Sequence, residues 1–111
     1  MAVSYKVLGQ VKPAADTATT LYTVPAGAGN YSVVSTLSVT TLTDVHTDIR
    51  IAIRPAGETL ADKHYILYNN TLGGLQSKYF TIGITLNQTD VVTVYSSVAN
   101  TVFSLFGSEN S

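Results

Sequence analysis

Apolar and polar residues alternate with a period of two wherever a period is visible along this chain. The clearest run places Phe80, Ile82, Ile84 and Leu86 on one side and Thr81, Gly83, Thr85 and Asn87 on the other, the pattern of a half-buried strand. Its regularity predicts that Phe80–Leu86 is central to the core. Tyr31–Val39 reads the same way, with Tyr31, Val33, Leu37 and Val39 set against Ser32, Val34, Thr36 and Ser38. In Asp48–Arg54, Ile49, Ile51 and Ile53 are predicted to face inward and Arg50 and Arg54 outward, with Ala52 between them. Shorter segments rich in β-branched and aromatic residues predict strands at Tyr5–Leu8, Leu21–Val24, His64–Tyr68, Val91–Ser96 and Thr101–Phe106.

Turn-forming clusters separate these segments: residues 25–30, 55–58 and 87–90, and Asn69-Asn70 with Gly73-Gly74. Pro13, Pro25 and Pro55 fall after strands, where they interrupt no ladder. No window longer than two turns has the three-and-four spacing of an amphipathic helix. The pattern therefore predicts an all-β fold, an antiparallel β-sandwich or jelly roll of roughly eight strands. Its 111 residues fit a single domain, 1–111, with a short tail from Ser108 to Ser111.

Composition adds a constraint on the surface. Charged residues make up 12% of the chain, against roughly a quarter in ordinary soluble domains, while 45% is hydrophobic. A surface of Ser and Thr without much Lys and Glu is poorly protected against association, so the chain is expected to be covered by copies of itself or by a partner. With 6 basic and 7 acidic residues and no runs of either, neither nucleic acid nor a membrane surface is an expected partner. With 0 cysteines, stability has to come from packing. The segment Met1-Ala2-Val3-Ser4-Tyr5-Lys6 has no basic start or apolar run of an export signal, so synthesis in the cytoplasm is expected. Glycosylation at Asn30, Asn69 or Asn87 is correspondingly not expected.

Candidate chemistry is sparse. Asp44, His46 and Asp48 alternate into a strand with ligand types that suit Zn, Mn or Ca, but no fourth ligand accompanies them, and they read as a polar loop with no metal. The serines lack a Gly-x-Ser-x-Gly elbow, and the glycine pairs Gly27/Gly29 and Gly73/Gly74 lack the flanks of a phosphate cradle. Asp16, Asp44, Asp48, Glu58, Asp62, Asp90 and Glu109 offer no recognisable catalytic pair. The chain is expected to be no enzyme and to need no cofactor. Tyr22, Tyr65, Tyr68, Tyr79 and Tyr95 in or beside strands suit interface anchors or, as an alternative, carbohydrate stacking, which the absence of Trp weakens.

The strand cores also carry a resemblance: Tyr5–Gln10, Leu21–Ala26, Val33–Val39, Arg50–Gly57, Lys63–Ile66, Gly83–Leu86, Thr89–Tyr95 and Phe106–Glu109. Together they resemble the small β-sandwich virion proteins of tailed bacteriophages, of the marine and cyanobacterial type, over nearly the whole chain. Thr40–His46 departs from that pattern, which has a short Cys-Asn-Arg-like turn there. The resemblance implies a virion structural protein located in the particle. The leading expectation is a capsid decoration protein that binds the major capsid protein and itself, as a homo-oligomer and possibly a trimer. A tail, baseplate or fibre-associated component and a carbohydrate-binding tip are the alternatives. Arg50, Arg54, Tyr65 and Tyr68 are the expected interface residues, the two guanidinium groups meeting carboxylates of a neighbour.

Overall fold

First strand meets last, second meets seventh, third meets sixth and fourth meets fifth in a computed structural model that describes residues 3–111. Met1 and Ala2, the start of the segment read for an export signal, lie outside the described residues. The strands are β1 (Val3–Val11), β2 (Thr19–Thr23), β3 (Tyr31–Thr41), β4 (Thr47–Arg54), β5 (Tyr65–Leu72), β6 (Ser77–Asn87), β7 (Val91–Ser96) and β8 (Thr101–Asn110). They form two antiparallel sheets, β1-β8-β3-β6 and β2-β7-β4-β5. This is one long hairpin rolled up on itself, the eight-strand jelly roll. Two 3-10 turns, Pro55–Gly57 and Asp62–His64, lie in the connection from β4 to β5.

The core forms where the inner faces of the two sheets meet. Val34, Leu37, Val39, Phe103 and Leu105 come from one sheet, and Leu21, Ile49, Ile51, Val92 and Val94 from the other. Burying each such side chain is worth about 1.5–3 kcal/mol. Arg50 and Arg54 alternate with the buried isoleucines and so face outward, as the sequence predicts.

Two expectations are corrected. Phe80–Leu86 is not central: it lies in β6, an edge strand, where Phe80, Ile82 and Ile84 are only partly buried against the core and Leu86 alone is fully buried. Regular alternation reports one buried face and is silent about a strand's place in the sheet. In β3, Ser32 and Val34 point inward and Val33 outward, opposite to the reading from period two.

A line of bulges across the sheet accounts for that reversal. The rung Lys6–Gly107–Val34–Ile84 and the rung Gly9–Leu105–Leu37–Phe80 enclose Phe106 alone on β8, but Val7 and Leu8 on β1, and Ser35 and Thr36 on β3. On β6 they enclose Thr81, Ile82 and Gly83. The extra residues flip the side-chain phase of β3 and bend the sheet around β8. Two glycines permit this. Gly83 takes φ +55° within its bulge, and a Cβ on Gly107 would lie 2.1 Å from the Val33 carbonyl oxygen.

Candidate interaction surfaces

The outer face of the β2-β7-β4-β5 sheet holds the residues expected at an interface. The Arg50 guanidinium lies between two rings, its carbon 4.1 Å from the centroid of Tyr95 and 4.3 Å from that of Tyr68. Its Nε donates to Asn69 Oδ1 at 2.7 Å. Asn69 reaches that position because β5 bulges there and takes φ +50°, a conformation asparagine tolerates better than most residues. Tyr65 meets Tyr68 edge to face with centroids 4.9 Å apart, and the two line a shallow depression with Asp62. Tyr95 donates its hydroxyl to Asp16 Oδ1 at 2.5 Å, a bond that raises the pKa of the phenol. Arg50, Tyr65 and Tyr68 are thus brought together, with Tyr95, Asn69 and Asp16 added to them.

Arg54 stands apart from this cluster. Its Nε donates to Thr93 Oγ1 at 3.0 Å and its Nη1 to the Glu58 carbonyl at 3.1 Å, which straps residues 55–64 over that end of the sheet. Under the strap, Ala52 and Thr93 are buried although they lie on the outer face. Buried His64 fastens it: the Ala61 N–H donates to Nδ1 at 3.0 Å, so the proton sits on Nε2, 3.3 Å from Glu58 Oε1. His64, and after it Lys63, hold the Glu58 carboxyl below the ordinary range.

The opposite outer face, on β1-β8-β3-β6, has a different character. Its positions run Val3, Tyr5, Val7 and Gln10 on β1, then Val102, Ser104, Phe106, Ser108 and Asn110 on β8. Across β3 and β6 it continues through Tyr31, Val33, Thr36, Ser38 and Thr40 to Ser77, Tyr79, Thr81, Thr85 and Asn87. Among the described residues, no charged side chain lies on it. Tyr5 is 84% exposed and Tyr79 69%. Lys6 and Lys78, the cations of these strands, turn inward to Glu109 and Asn70.

Between the sheets, at the end holding Pro25, Asn30 and Asn110, Tyr22 donates to Glu109 Oε2 at 2.5 Å and meets Ser32 Oγ at 2.7 Å. Burial first, and the Glu109 bond second, push the Tyr22 phenol up to about 12. Lys6, then Tyr22, hold the Glu109 carboxyl below its usual range. These groups satisfy one another, an arrangement that fixes the register of β2, β3 and β8. No local pattern along the chain marks this group, because its members lie 10 and 87 residues apart.

Asp44, His46 and Asp48 do not converge. Asp44 packs against Gly74, while His46 Nε2 lies 3.5 Å from Asp48 Oδ1, which also accepts from Thr71 Oγ1 at 3.2 Å. Among the described residues, no three His, Asp or Glu side chains are placed to hold a metal. In the departing segment Thr40–His46, Thr41 Oγ1 donates to the Gly73 carbonyl and accepts from the Gln76 N–H, tying it to the β5–β6 turn. Leu42, Val45 and Leu75 are exposed at that tip.

No protein-family model matches the chain. No curated protein matches it. Among solved structures it is similar to a chain of the T13 IBDV viral particle, at TM-score 0.58 and 14% identity over 97% of its length. It is also similar to a chain of the infectious bursal disease virus Gx strain, at TM-score 0.51 and 15% identity over 97% of its length. The chain spans 30% of the length of each. At these identities the likeness is one of fold, and it falls on viral particles.

Proposed function

We propose that this protein is a structural component of a virion, a decoration protein that stands on the outside of a capsid lattice through the uncharged face of its β1-β8-β3-β6 sheet. The observation that carries the reading is that face: four strands wide, free of charge, and rich in Ser, Thr and exposed Tyr and Val, while the opposite face carries Asp48, Arg50 and Arg54. Large faces without charge are covered in working assemblies, and a lattice of symmetric subunits presents one complementary site to every copy. The likeness to chains of viral particles and the resemblance to phage virion sandwiches support the same setting. In this role the domain acts through contacts, without catalysis or a cofactor. Arg50, held edge-out between Tyr68 and Tyr95, is left to meet neighbouring copies or solvent.

The test is co-sedimentation with heads that lack the protein. Thr85→Lys on the uncharged face is expected to abolish binding with an unchanged melting temperature, and Thr20→Lys on the other sheet to leave binding intact. Equal binding by both variants would refute this assignment of the face.

A further inference from the structure

Four strands end the two sheets, and an edge strand exposes a row of unpaired N–H and C=O groups that invites pairing unless something blunts it. Three of the four are blunted. β2 is five residues long with a register shift at Leu21. β5 has two register shifts and Asn69 at φ +50°. β6 is broken by its bulge at Gly83. β1 differs: from Val3 to Val7 it runs in unbroken register with β8, without proline and without an outward charge. Its one charged residue, Lys6, turns inward, with Nζ on Glu109.

We propose that the Val3–Val7 edge of β1 pairs antiparallel with the same edge of a second copy of this chain, about a two-fold axis through Tyr5. The bulge at Leu8 ends the regular stretch on one side, so among the described residues each copy offers Val3–Val7, and the self-complementary side-chain pattern of that segment sets the register. Its centre is Tyr5. In that register Tyr5 faces Tyr5 of the second copy and Val3 faces Val7, while Ser4 faces Lys6. The pattern Val-Ser-Tyr-Lys-Val is self-complementary, as an isologous two-fold contact requires. Outward-facing Tyr5, the most exposed large hydrophobic residue described, gains an aromatic cross-strand partner. Each Lys6 is already neutralised by its own Glu109, so no bare like charges are opposed. The joined sheets form one eight-stranded surface whose outer face carries no charge. This pairing rests on the edge geometry and does not depend on attachment to a particle.

Sedimentation equilibrium from micromolar to millimolar concentration, with amide hydrogen exchange of β1 at both ends of that range, tests the contact. The expected result is a monomer–dimer equilibrium in which exchange within Val3–Val7 slows as dimer forms. Tyr5→Lys sets two ammonium groups directly opposite each other and should weaken the dimer about tenfold. Tyr5→Phe should keep the dimer, as should Tyr79→Lys, which alters the same face at its far edge. Tyr5 is so exposed that none of these changes should move the melting temperature. A monomer throughout, a trimer, a dimer without protection at Val3–Val7, or a dimer lost with Tyr79→Lys but kept with Tyr5→Lys would each overturn the proposal.

Discussion

Tyr22→Phe removes one oxygen from the interior and leaves two groups short of a partner. Ser32 Oγ, fully buried, has Tyr22 as its hydrogen-bond partner at 2.7 Å, and Glu109 loses the phenolic donor while keeping Lys6. A hydrogen bond to a charged group is worth about 1.5–3 kcal/mol, and a buried hydroxyl left unpaired costs about 1–3 kcal/mol. Overlap between the two effects puts the expected loss at about 2–4 kcal/mol, with the midpoint falling by roughly 4 °C for each kcal/mol in a domain of this size. Urea unfolding at pH 7, with the m-value as a control, measures it. Ser32→Ala in the Tyr22→Phe background should restore part of the loss, because removing both partners leaves nothing unpaired. The Glu109 carboxyl titrates below its ordinary value, so its contribution is complete above about pH 4.3 and is lost as the pH falls further. The Tyr22 phenol titrates near 12, above its ordinary 10, so its contribution is complete below pH 10 and is lost as the pH rises toward 12. If Tyr22→Phe is as stable as the parent, or if the Ser32→Ala partner change deepens the loss, the reasoning about this buried group is wrong.

Other outcomes follow from the same structure. Gly107→Ala should destabilise by several kcal/mol in thermal unfolding, since its Cβ would meet the Val33 carbonyl at 2.1 Å and both neighbours are backbone. Phe103→Ala, fully buried on the inner strand β8, should cost about 3–5 kcal/mol. Ile82→Ala, on the edge strand β6, should cost clearly less than Phe103→Ala, and equal losses would return β6 to the centre of the core. Chelator treatment should leave the melting temperature unchanged; a fall restored by one divalent ion would point to Asp44, His46 and Asp48 as ligands.

Strand existence was legible in the sequence, because one buried face imposes a period of two that Ile49, Ile51 and Ile53 display without interruption. Places where chain geometry departs from that period were hidden. The β3 bulge at Ser35 reverses the phase of Val33 and Val34, and its cause lies in the register with β8, a strand about seventy residues further along the chain. Asn69-Asn70, read as a turn, lies inside β5, with Asn69 in a bulge and Asn70 paired to Ile49, and Ser108–Asn110, read as a tail, completes β8 against both β1 and β3. The clustering of the residues expected at an interface was half legible. Outward Arg50 with Tyr65 and Tyr68 followed from alternation and residue type, but Arg54 carries the same signal and is spent on Thr93 and the Glu58 carbonyl. The uncharged sheet face could not be seen as a face at all, since its residues gather from four strands only when the pairing is known.

Attachment of many copies to the capsid exterior is visible in a reconstruction of the intact particle in which the copies are counted. Density for the jelly roll is expected in hundreds of copies on the outside of the head, with the β1-β8-β3-β6 face turned to the lattice. A few copies confined to the tail, or copies turned with the Arg50 face to the lattice, would contradict it.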